Sequence, residues 1–266
     1  MVKIARFSTK EGAVRYGAAN GEGAFDPIAG DIFGEWNLTG EKVSEEYVAL
    51  LPPVHPPNVI AIGLNYVGHA EESGMEMPER PVVFLKATTA VCGPEDEIVL
   101  PSMAPNEVDY ECELAIVIGK EAKHVSEEEA LDYVLGYTCS NDVSARDCQI
   151  RLDVQWARGK SFDTFAPLGP WIETEMDPDE ADIRTRLNGT VMQESNTNDL
   201  IFSCRELVSY LSDCMTLLPG TVIMTGTPSG VGFARKPPVF LQPGDVAEIE
   251  VDGIGVLENE VVAEEV

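Results

Sequence analysis

A short apolar segment with two glutamates in front of it constrains this chain most. Residues 114–118 read Leu-Ala-Ile-Val-Ile and are followed by Gly119, a length and composition typical of a buried β-strand. Because side chains alternate along a strand, Glu111 and Glu113 should project from the same face. Two neighbouring anions where a strand enters a core are costly unless a cation or hydrogen-bond donors compensate them.

A third carboxylate, Asp142, follows the next predicted strand, residues 133–139. Three converging carboxylates without a histidine or cysteine cluster favour a hard divalent ion with oxygen ligands, Mg²⁺ before Zn²⁺. Glu107 and Asp109 share the parity of the two glutamates, so a solvated acidic edge is the alternative. The spacing alone leaves both interpretations open.

The charge balance and the lack of long apolar stretches limit the partners and the cellular location that we expect for this protein. Asp and Glu number 46 against 18 Lys and Arg, a formal net charge of -28 that repels nucleic acid and anionic membranes. This excess of carboxylates is typical of adaptation to a high-salt cytoplasm, where salt screens the repulsion, so we expect a halophilic prokaryotic source. No signal-peptide core and no stretch of membrane-spanning length is present, and we expect a cytoplasmic protein without nucleic-acid or membrane partners.

Prolines mark a predicted domain boundary. Residues 1–55 contain short strand candidates between glycine-rich turns, and they predict a small N-terminal β domain. The proline cluster at 52–57 reads as a stiff linker, which leaves residues 56–266 as the main domain. Many short strands and few helices predict a mostly β fold with some α and with mixed sheets.

Four segments carry helix or hairpin signals. Ser126–Ala130 has a candidate N-cap followed by glutamates, which predicts the start of a helix. Residues 141–149 have the spacing of a short helix, and residues 203–217 predict an amphipathic one. The dipeptide Asn188-Gly189 predicts a tight β-hairpin.

A histidine and a glutamate are candidates for acid–base chemistry. His69 and Glu72 follow the strand predicted at residues 58–62, and their spacing of three places them on one helix face. A carboxylate in this position orients an imidazole and raises its basicity. The alternative is a surface helix with an incidental histidine.

Two lysines and a threonine are further candidates. Lys160 lies in a glycine-containing turn, where it could stabilise an enolate or simply be exposed. Lys86 ends the strand predicted at residues 81–86 and could face the site or be structural. The loop in residues 221–232 lacks the GK[ST] of a phosphate loop, but its N–H groups and the Thr227 hydroxyl can bind a carboxylate.

Seven motifs occur in order from Asn58 to the C-terminus: GLNYVGHAEE, PVVFLKATTA, DYECELAIVIG, NDVSARD, ARGKSFDTFAPLGP, LNGTVMQESNTNDLIFS and TGTPSGVG. Together they resemble the fumarylacetoacetate hydrolase family, although any single motif would be weak. The resemblance implies a mostly β fold, with rolled and sandwich-like mixed sheets around a central metal and a small N-terminal β domain. It also implies a dimer or larger assembly, and we expect a homodimer.

The resemblance also implies residue roles. The metal ligands that it implies are Glu111, Glu113 and Asp142. The catalytic residues that it implies are His69, Glu72 and Lys160. The residues that it places at the substrate are Arg146, Gln149 and Thr227. Larger eukaryotic members add a fourth acidic ligand from an upstream segment; we recognise no equivalent here, so water or substrate should complete the coordination.

The activity implied is enzymatic, on small organic acids with a 2-oxo acid or 1,3-dicarbonyl unit, with Mg²⁺ as cofactor and Mn²⁺ or Ca²⁺ as alternatives. The first expectation is a C–C bond hydrolase or decarboxylase of acylpyruvates or oxo-dicarboxylic acids that works through an enolate. The second is a 2-hydroxyhepta-2,4-diene-1,7-dioate isomerase of aromatic-acid degradation. The third is a non-catalytic relative that binds metal or organic acids, against which the intact His69–Glu72 pair and Lys160 argue.

Overall fold

The computed structural model describes residues 2–21 and 23–265. Its strands are β1 (Lys3–Thr9), β2 (Val14–Ala19), β3 (Ala24–Gly30), β4 (Trp36–Leu38), β5 (Val43–Ser44), β6 (Val48–Leu51), β7 (Val59–Gly63), β8 (Val82–Lys86), β9 (Val91–Cys92), β10 (Ile98–Leu100), β11 (Val108–Asp109), β12 (Cys112–Ile118), β13 (Val134–Asn141), β14 (Ser144–Ala145), β15 (Ala166–Glu173), β16 (Asp182–Leu187), β17 (Thr190–Asn196), β18 (Val222–Met224), β19 (Val246–Val251) and β20 (Gly255–Ala263).

Helices are few. The α-helices are α1 (Val67–Ser73), α2 (Ala157–Lys160) and α3 (Cys204–Cys214). Single 3₁₀ or π-helical turns are Glu45–Tyr47, Thr88–Ala90, Ala130–Tyr133, Asp147–Leu152, Thr197–Asp199 and Gly232–Ala234. In the described part of the chain, no helix combines the length and the apolarity needed to cross a lipid bilayer. The predicted mostly β fold with some α is confirmed.

The described strands form a large and a smaller sheet. The large sheet has the order β4-β3-β2-β1-β15-β13-β12-β18-β7-β8, with β5, β6 and β9 paired beside this path. The smaller sheet has the order β10-β20-β19-β16-β17, and β11 and β14 form a separate pair. Two apolar clusters include β12 residues of the large sheet, a third lies mainly among the smaller sheet and the β11–β14 pair, and a fourth lies among the N-terminal strands.

The strand β12 lies inside the large sheet, antiparallel to both β13 and β18. Its side chains alternate between two cores: Leu114 and Ile116 pack in the cluster that includes α3, whereas Ala115 and Val117 pack in the cluster on the opposite face. Every residue of β12 is buried. Because neither face meets solvent, a carboxylate at its start must find its partners inside the protein.

The N-terminal strands continue the large sheet. β1 is antiparallel to β2, β6 and β15, so backbone hydrogen bonds cross the predicted boundary at residue 55. The division into residues 1–55 and 56–266 stays a prediction.

The helix predicted to start at Ser126–Ala130 is wrong. Residues 127–129 form a turn, and Ala130–Tyr133 add one 3₁₀ turn before β13 begins at Val134. The capping signal is local, but the following residues pair with β12 along the whole of β13, and this long-range pairing overrides the local helix preference.

The helix predicted over residues 141–149 is also wrong. β13 runs to Asn141, β14 pairs with β11, and only Asp147–Leu152 coil into a π-helical turn. The reason is that the N–H of Asp142 donates to the carbonyl of Glu111 (2.9 Å) and that of Arg146 to the carbonyl of Glu107 (2.8 Å). These N–H groups therefore donate to the segment before β12 and are not available for the hydrogen bonds of a helix.

The predicted hairpin and the predicted amphipathic helix are both present, whereas the turn predicted at Lys160 is not. The Asn188-Gly189 hairpin is confirmed: both residues have positive φ (51° and 75°) and connect the pair Leu187–Thr190. The amphipathic helix is α3, shorter than predicted, and Ser203 caps it together with Glu206. Lys160 lies at the end of the one-turn helix α2, in place of the predicted turn.

Replacing Leu114 by alanine should lower the free energy of unfolding by about 2–5 kcal/mol, because the side chain is fully buried and the substitution leaves a cavity. Urea unfolding of the metal-free protein in high salt measures the change. The matched control is Leu85→Ala on β8, where the side chain is 52% exposed and we expect a change within about 0.5 kcal/mol. Equal losses in the two variants would contradict the central place of β12.

Candidate metal centre and acid–base site

Strand pairing brings three carboxylates together. Glu111 and Glu113 flank Cys112 at the start of β12, and the register pairs Cys112 with Asn141 at the end of β13. Asp142, the next residue, therefore lies beside Glu111. Glu111 is 6% exposed and the other two carboxylates are 1% exposed, and one ligand oxygen from each lies within 4.8 Å of the others.

Two buried lysines contact this cluster. Lys160 Nζ donates to Glu111 Oε2 (2.8 Å) and to Asp142 Oδ2 (2.7 Å), and Lys86 Nζ donates to Asp142 Oδ1. Burial lowers the pKa of Lys160, but the charges of Asp142 and Glu111 outweigh this and raise it above its ordinary value. Lys160 is thus an ammonium ion that bridges two of the three carboxylates.

An arginine holds the far oxygen of Glu111. Arg146 NH2 lies 2.6 Å from Glu111 Oε1 and 2.6 Å from Asp109 Oδ1, and its NH1 donates to Gln149 Oε1 (2.8 Å). Asp109 is fully buried and also accepts from the N–H of Phe233 (2.7 Å). Burial alone would raise the pKa of Glu111, but Lys160 and Arg146 hold it below its ordinary value.

Glu113 differs from its two neighbours. Within the described residues it has no lysine or arginine partner; its Oε2 accepts from the N–H of Gly226 (2.7 Å). Burial raises the pKa of Glu113 well above its ordinary value, and the charges of Asp142 and Glu111 raise it further. The ionised form of Glu113 is therefore left without a compensating charge by these side chains.

The cluster fits a divalent metal ion. Its donors are all carboxylate oxygens, the ligands that Mg²⁺, Mn²⁺ and Ca²⁺ prefer, and they are close together and shielded from water. A dication would compensate the repulsion that Glu113 experiences. The charge and the chemistry of these residues thus support metal binding, without selecting one of the three ions.

The predicted acid–base pair is present on α1. His69 Nδ1 lies 3.5 Å from Glu72 Oε2, and both Glu72 oxygens accept from the N–H of Gly230 (3.1 and 3.0 Å). Burial raises the pKa of Glu72, but the contact with His69 and the Gly230 N–H outweigh this and lower it. An ionised Glu72 therefore sits beside the imidazole.

A cavity of about 380 Å³ joins these groups. Its polar lining includes His69, Glu111, Asp142, Arg146, Gln149, Lys160 and Thr227. Its apolar lining includes Ile62, Leu64, Met75, Phe84, Ile150, Val154, Trp156 and Phe233. Of the predicted site residues, Glu113 and Glu72 lie outside this lining; Glu72 contacts the lining residue His69, and Glu113 accepts from the N–H of Gly226, which precedes the lining residue Thr227. The structure thus brings all the predicted site residues to one region; their roles stay predictions.

The loop after β18 touches three parts of this region. Gly226 contacts Glu113, Thr227 lines the cavity, and Gly230 holds Glu72. Gly226 has a φ of 104°, and a Cβ there would lie 2.7 Å from the Cβ of Asn65. Only glycine therefore allows the backbone to approach Glu113 so closely.

Sequence reasoning missed two buried residues, Asp109 and Gln193, and left open whether Lys86 faces the site. Lys86 carried a signal, since it ends a strand in a chain with few cations. Asp109 was noted only as an acidic neighbour of Glu111, and its pairing with Arg146 spans 37 positions. Gln193 gave no signal at all, because a glutamine within a hairpin strand is ordinary.

Comparison with known proteins identifies the family. The model "Fumarylacetoacetate (FAA) hydrolase C-terminal" matches residues 58–262, and "Rv2993c-like, N-terminal" matches residues 2–53. The chain belongs to the fumarylacetoacetate hydrolase family. Relatives in this family are enzymes with tautomerase, isomerase or hydrolase names, and the protein is an enzyme of this family.

Three relatives illustrate the range of these names. Rat "Oxaloacetate tautomerase Fahd2a, mitochondrial" is 45% identical over 80% of this chain and 69% of its own. A 2-hydroxyhepta-2,4-diene-1,7-dioate isomerase structure from Mycobacterium marinum has a TM-score of 0.89 and 41% identity, covering 100% of both chains. A fumarylacetoacetate hydrolase structure from Exiguobacterium antarcticum has a TM-score of 0.90 and 37% identity, covering 99% of this chain and 100% of the other.

Replacing Glu113 by glutamine should raise the melting temperature of the metal-free protein by about 2–4 °C, as expected for roughly 1 kcal/mol in a chain of this size. A pKa raised in the folded state means that ionised Glu113 destabilises the fold at neutral pH, and a neutral amide keeps the Gly226 contact. The variant should also lose the stabilisation that Mg²⁺ gives the wild type.

Thermal melts with and without Mg²⁺, across pH, measure both effects. Because a raised pKa favours the protonated fold, metal-free wild type should lose stability as pH rises above the ordinary glutamate range, and the variant should lose less. The control is Glu128→Gln, at an exposed carboxylate. Undiminished Mg²⁺ stabilisation in Glu113→Gln would contradict its assignment as a ligand.

Proposed function

We propose that this protein is a divalent-metal-dependent tautomerase or isomerase of small 2-oxo acids such as oxaloacetate. It would move a proton between the carbon next to the 2-oxo group and the oxygen of that group, which interconverts the keto and enol forms. The observation that carries this proposal is that His69, backed by Glu72, lines the same cavity as Lys160 and the carboxylate cluster. The names of the rat and Mycobacterium relatives support proton transfer, whereas the sequence alone had placed C–C bond cleavage first.

The carboxylates would hold the cofactor. Glu111, Glu113 and Asp142 would bind Mg²⁺, with Mn²⁺ and Ca²⁺ as alternatives for the same oxygen donors. When bound, the ion would supply Lewis-acid polarisation of the 2-oxo acid. Arg146 would keep Glu111 ionised and correctly oriented through its contact with Oε1.

Charged and polar groups would bind the substrate. Lys160 uses two of its three N–H groups on Glu111 and Asp142, and within the described residues the third has no protein acceptor. This N–H would stabilise the negative charge that develops on the substrate oxygen. Thr227 would bind a substrate carboxylate or carbonyl through its hydroxyl, and Gln149 would lie close to the substrate.

The acid–base step would belong to His69. Its imidazole would take the proton from the carbon next to the 2-oxo group and deliver it to the 2-oxo oxygen, which gives the enol, and the opposite transfer would restore the keto form. Glu72, held by the N–H of Gly230, would orient the ring and stabilise its protonated form. Because the same imidazole would carry the proton between carbon and oxygen, the tautomerisation would consume no water.

Hydrolytic C–C cleavage is the second candidate. The same His69–Glu72 pair could activate a water molecule, and the likeness to the Exiguobacterium hydrolase favours this activity. Oxaloacetate, acetylpyruvate, fumarylpyruvate and a 2-hydroxy-dienoate dicarboxylate, each followed by NMR with and without Mg²⁺ in high salt, distinguish the two. Metal-dependent proton exchange without cleavage products supports the tautomerase; cleavage products from these substrates would replace it with the hydrolase or a decarboxylase.

Replacing His69 by glutamine should lower kcat by about 100- to 10,000-fold, because the variant lacks the base, while the Mg²⁺-induced rise in melting temperature persists. Turnover of the best substrate and thermal melts measure the two effects. His124→Gln, at an exposed histidine, is the matched control and should retain full activity. Full activity of His69→Gln on every substrate would show that the pair is not catalytic.

A further inference from the structure

Gln193 is a buried polar residue to which the mechanism above gives no role. It lies on β17, is 1% exposed, and its amide makes four hydrogen bonds. Its Oε1 accepts from the N–H of Cys112 (3.0 Å) and from the Thr185 hydroxyl (2.8 Å). Its Nε2 donates to Thr227 Oγ1 (2.8 Å) and to the carbonyl of Pro228 (2.8 Å).

Two backbone groups fix the orientation of this amide. The N–H of Cys112 is only a donor, so it must face Oε1, and the carbonyl of Pro228 is only an acceptor, so it must face Nε2. A flipped amide would place two donors together on one side and two acceptors together on the other. The direction of the remaining hydrogen bonds of Gln193 is therefore determined by the backbone.

This orientation determines what the Thr227 hydroxyl can do. Its oxygen accepts from Gln193, and in the described part of the chain the hydroxyl makes no other hydrogen bond. Thr227 is buried, yet it lines the cavity that contains Lys160 and His69. Its proton is therefore free to be donated only to a molecule in that cavity.

We propose that Gln193 is a positioning residue that makes Thr227 an obligatory hydrogen-bond donor to an anionic oxygen of the substrate. The inference rests on the proposed function, since it deepens the part that Thr227 plays in binding a 2-oxo acid. A hydroxyl without Gln193 could accept or donate, and part of its binding energy would be lost to reorientation. A fixed donor selects a carboxylate or enolate oxygen over a group that offers a hydrogen.

The same amide connects two segments of the site. Cys112 lies between Glu111 and Glu113, whereas Pro228 lies in the loop that contacts Glu113 through Gly226. Gln193 thus ties the strand that carries two carboxylates to the loop that carries Thr227. Gln193 thereby holds the Thr227 hydroxyl in a fixed position relative to Glu111 and Glu113.

The test uses oxalate, which resembles the enolate of a 2-oxo acid, as the probe in the presence of Mg²⁺. Gln193→Glu keeps the size and the acceptor oxygen but replaces the Nε2 donor by an acceptor, so Thr227 turns its proton away from the cavity. At mildly alkaline pH, calorimetry should show roughly tenfold weaker oxalate binding, and Thr227→Val should show a similar loss. The double variant should bind no more weakly than either single variant.

Two controls separate positioning from stability. Thr185→Val removes another hydrogen bond to the Gln193 amide without touching Thr227, so it should lower the melting temperature and leave oxalate binding unchanged. Gln193→Met removes the donor without adding an acceptor, so it should weaken binding about two- to threefold, and it serves if Gln193→Glu does not fold. Melts without Mg²⁺ report stability independently of binding.

The measurements distinguish a failure of the proposed function from a failure of the inference about Gln193. Wild-type protein that binds no oxalate with Mg²⁺ and turns over no 2-oxo acid would overturn the proposed function and this inference with it. A wild type that binds, together with Gln193 variants that bind equally well, would overturn the inference alone. Losses from Gln193→Glu and Thr227→Val that multiply in the double variant would also overturn it, because the two residues would then act independently.

Discussion

Electrostatic repulsion among buried carboxylates is the constraint on which this site depends. Asp109, Glu111, Glu113 and Asp142 meet three buried cations, Lys86, Arg146 and Lys160, so one negative charge in the cluster remains unmatched. The imbalance falls on Glu113, whose one hydrogen bond within residues 2–21 and 23–265 comes from a backbone N–H. A divalent ion would turn the cluster from net negative to net positive, and an anionic substrate would then be attracted to it.

The fold meets this constraint through strand pairing. β12 is buried on both faces, so its leading glutamates cannot reach solvent and must be compensated by residues from other elements. The register with β13 supplies Asp142, the helical turns after β14 supply Arg146 and Lys160, and the loop after β18 supplies the N–H of Gly226. A central strand with a polar end thus determines where the cavity forms.

The parts of this site that the residues themselves indicated rest on local patterns, whereas Arg146 and Gln149 came only from the family resemblance. Strand parity indicated Glu111 and Glu113, helical spacing indicated His69 and Glu72, and Asn188-Gly189 indicated a hairpin. The parts that were missed or left open depend on contacts between distant segments. Gln193 reaches Thr227 across 34 positions and Lys86 reaches Asp142 across 56, and no local period encodes such pairs. The wrong helices at residues 126–130 and 141–149 failed for the same reason, since pairing with β12 and β11 took the backbone groups that a helix needs.

The most direct test of the metal centre is anomalous diffraction from crystals soaked in Mn²⁺, which shares the oxygen preference of Mg²⁺ and scatters anomalously. We predict one strong peak within bonding distance of Glu111, Glu113 and Asp142, on the side that faces His69. A strong peak at another carboxylate cluster, with none between these three side chains, would contradict this prediction.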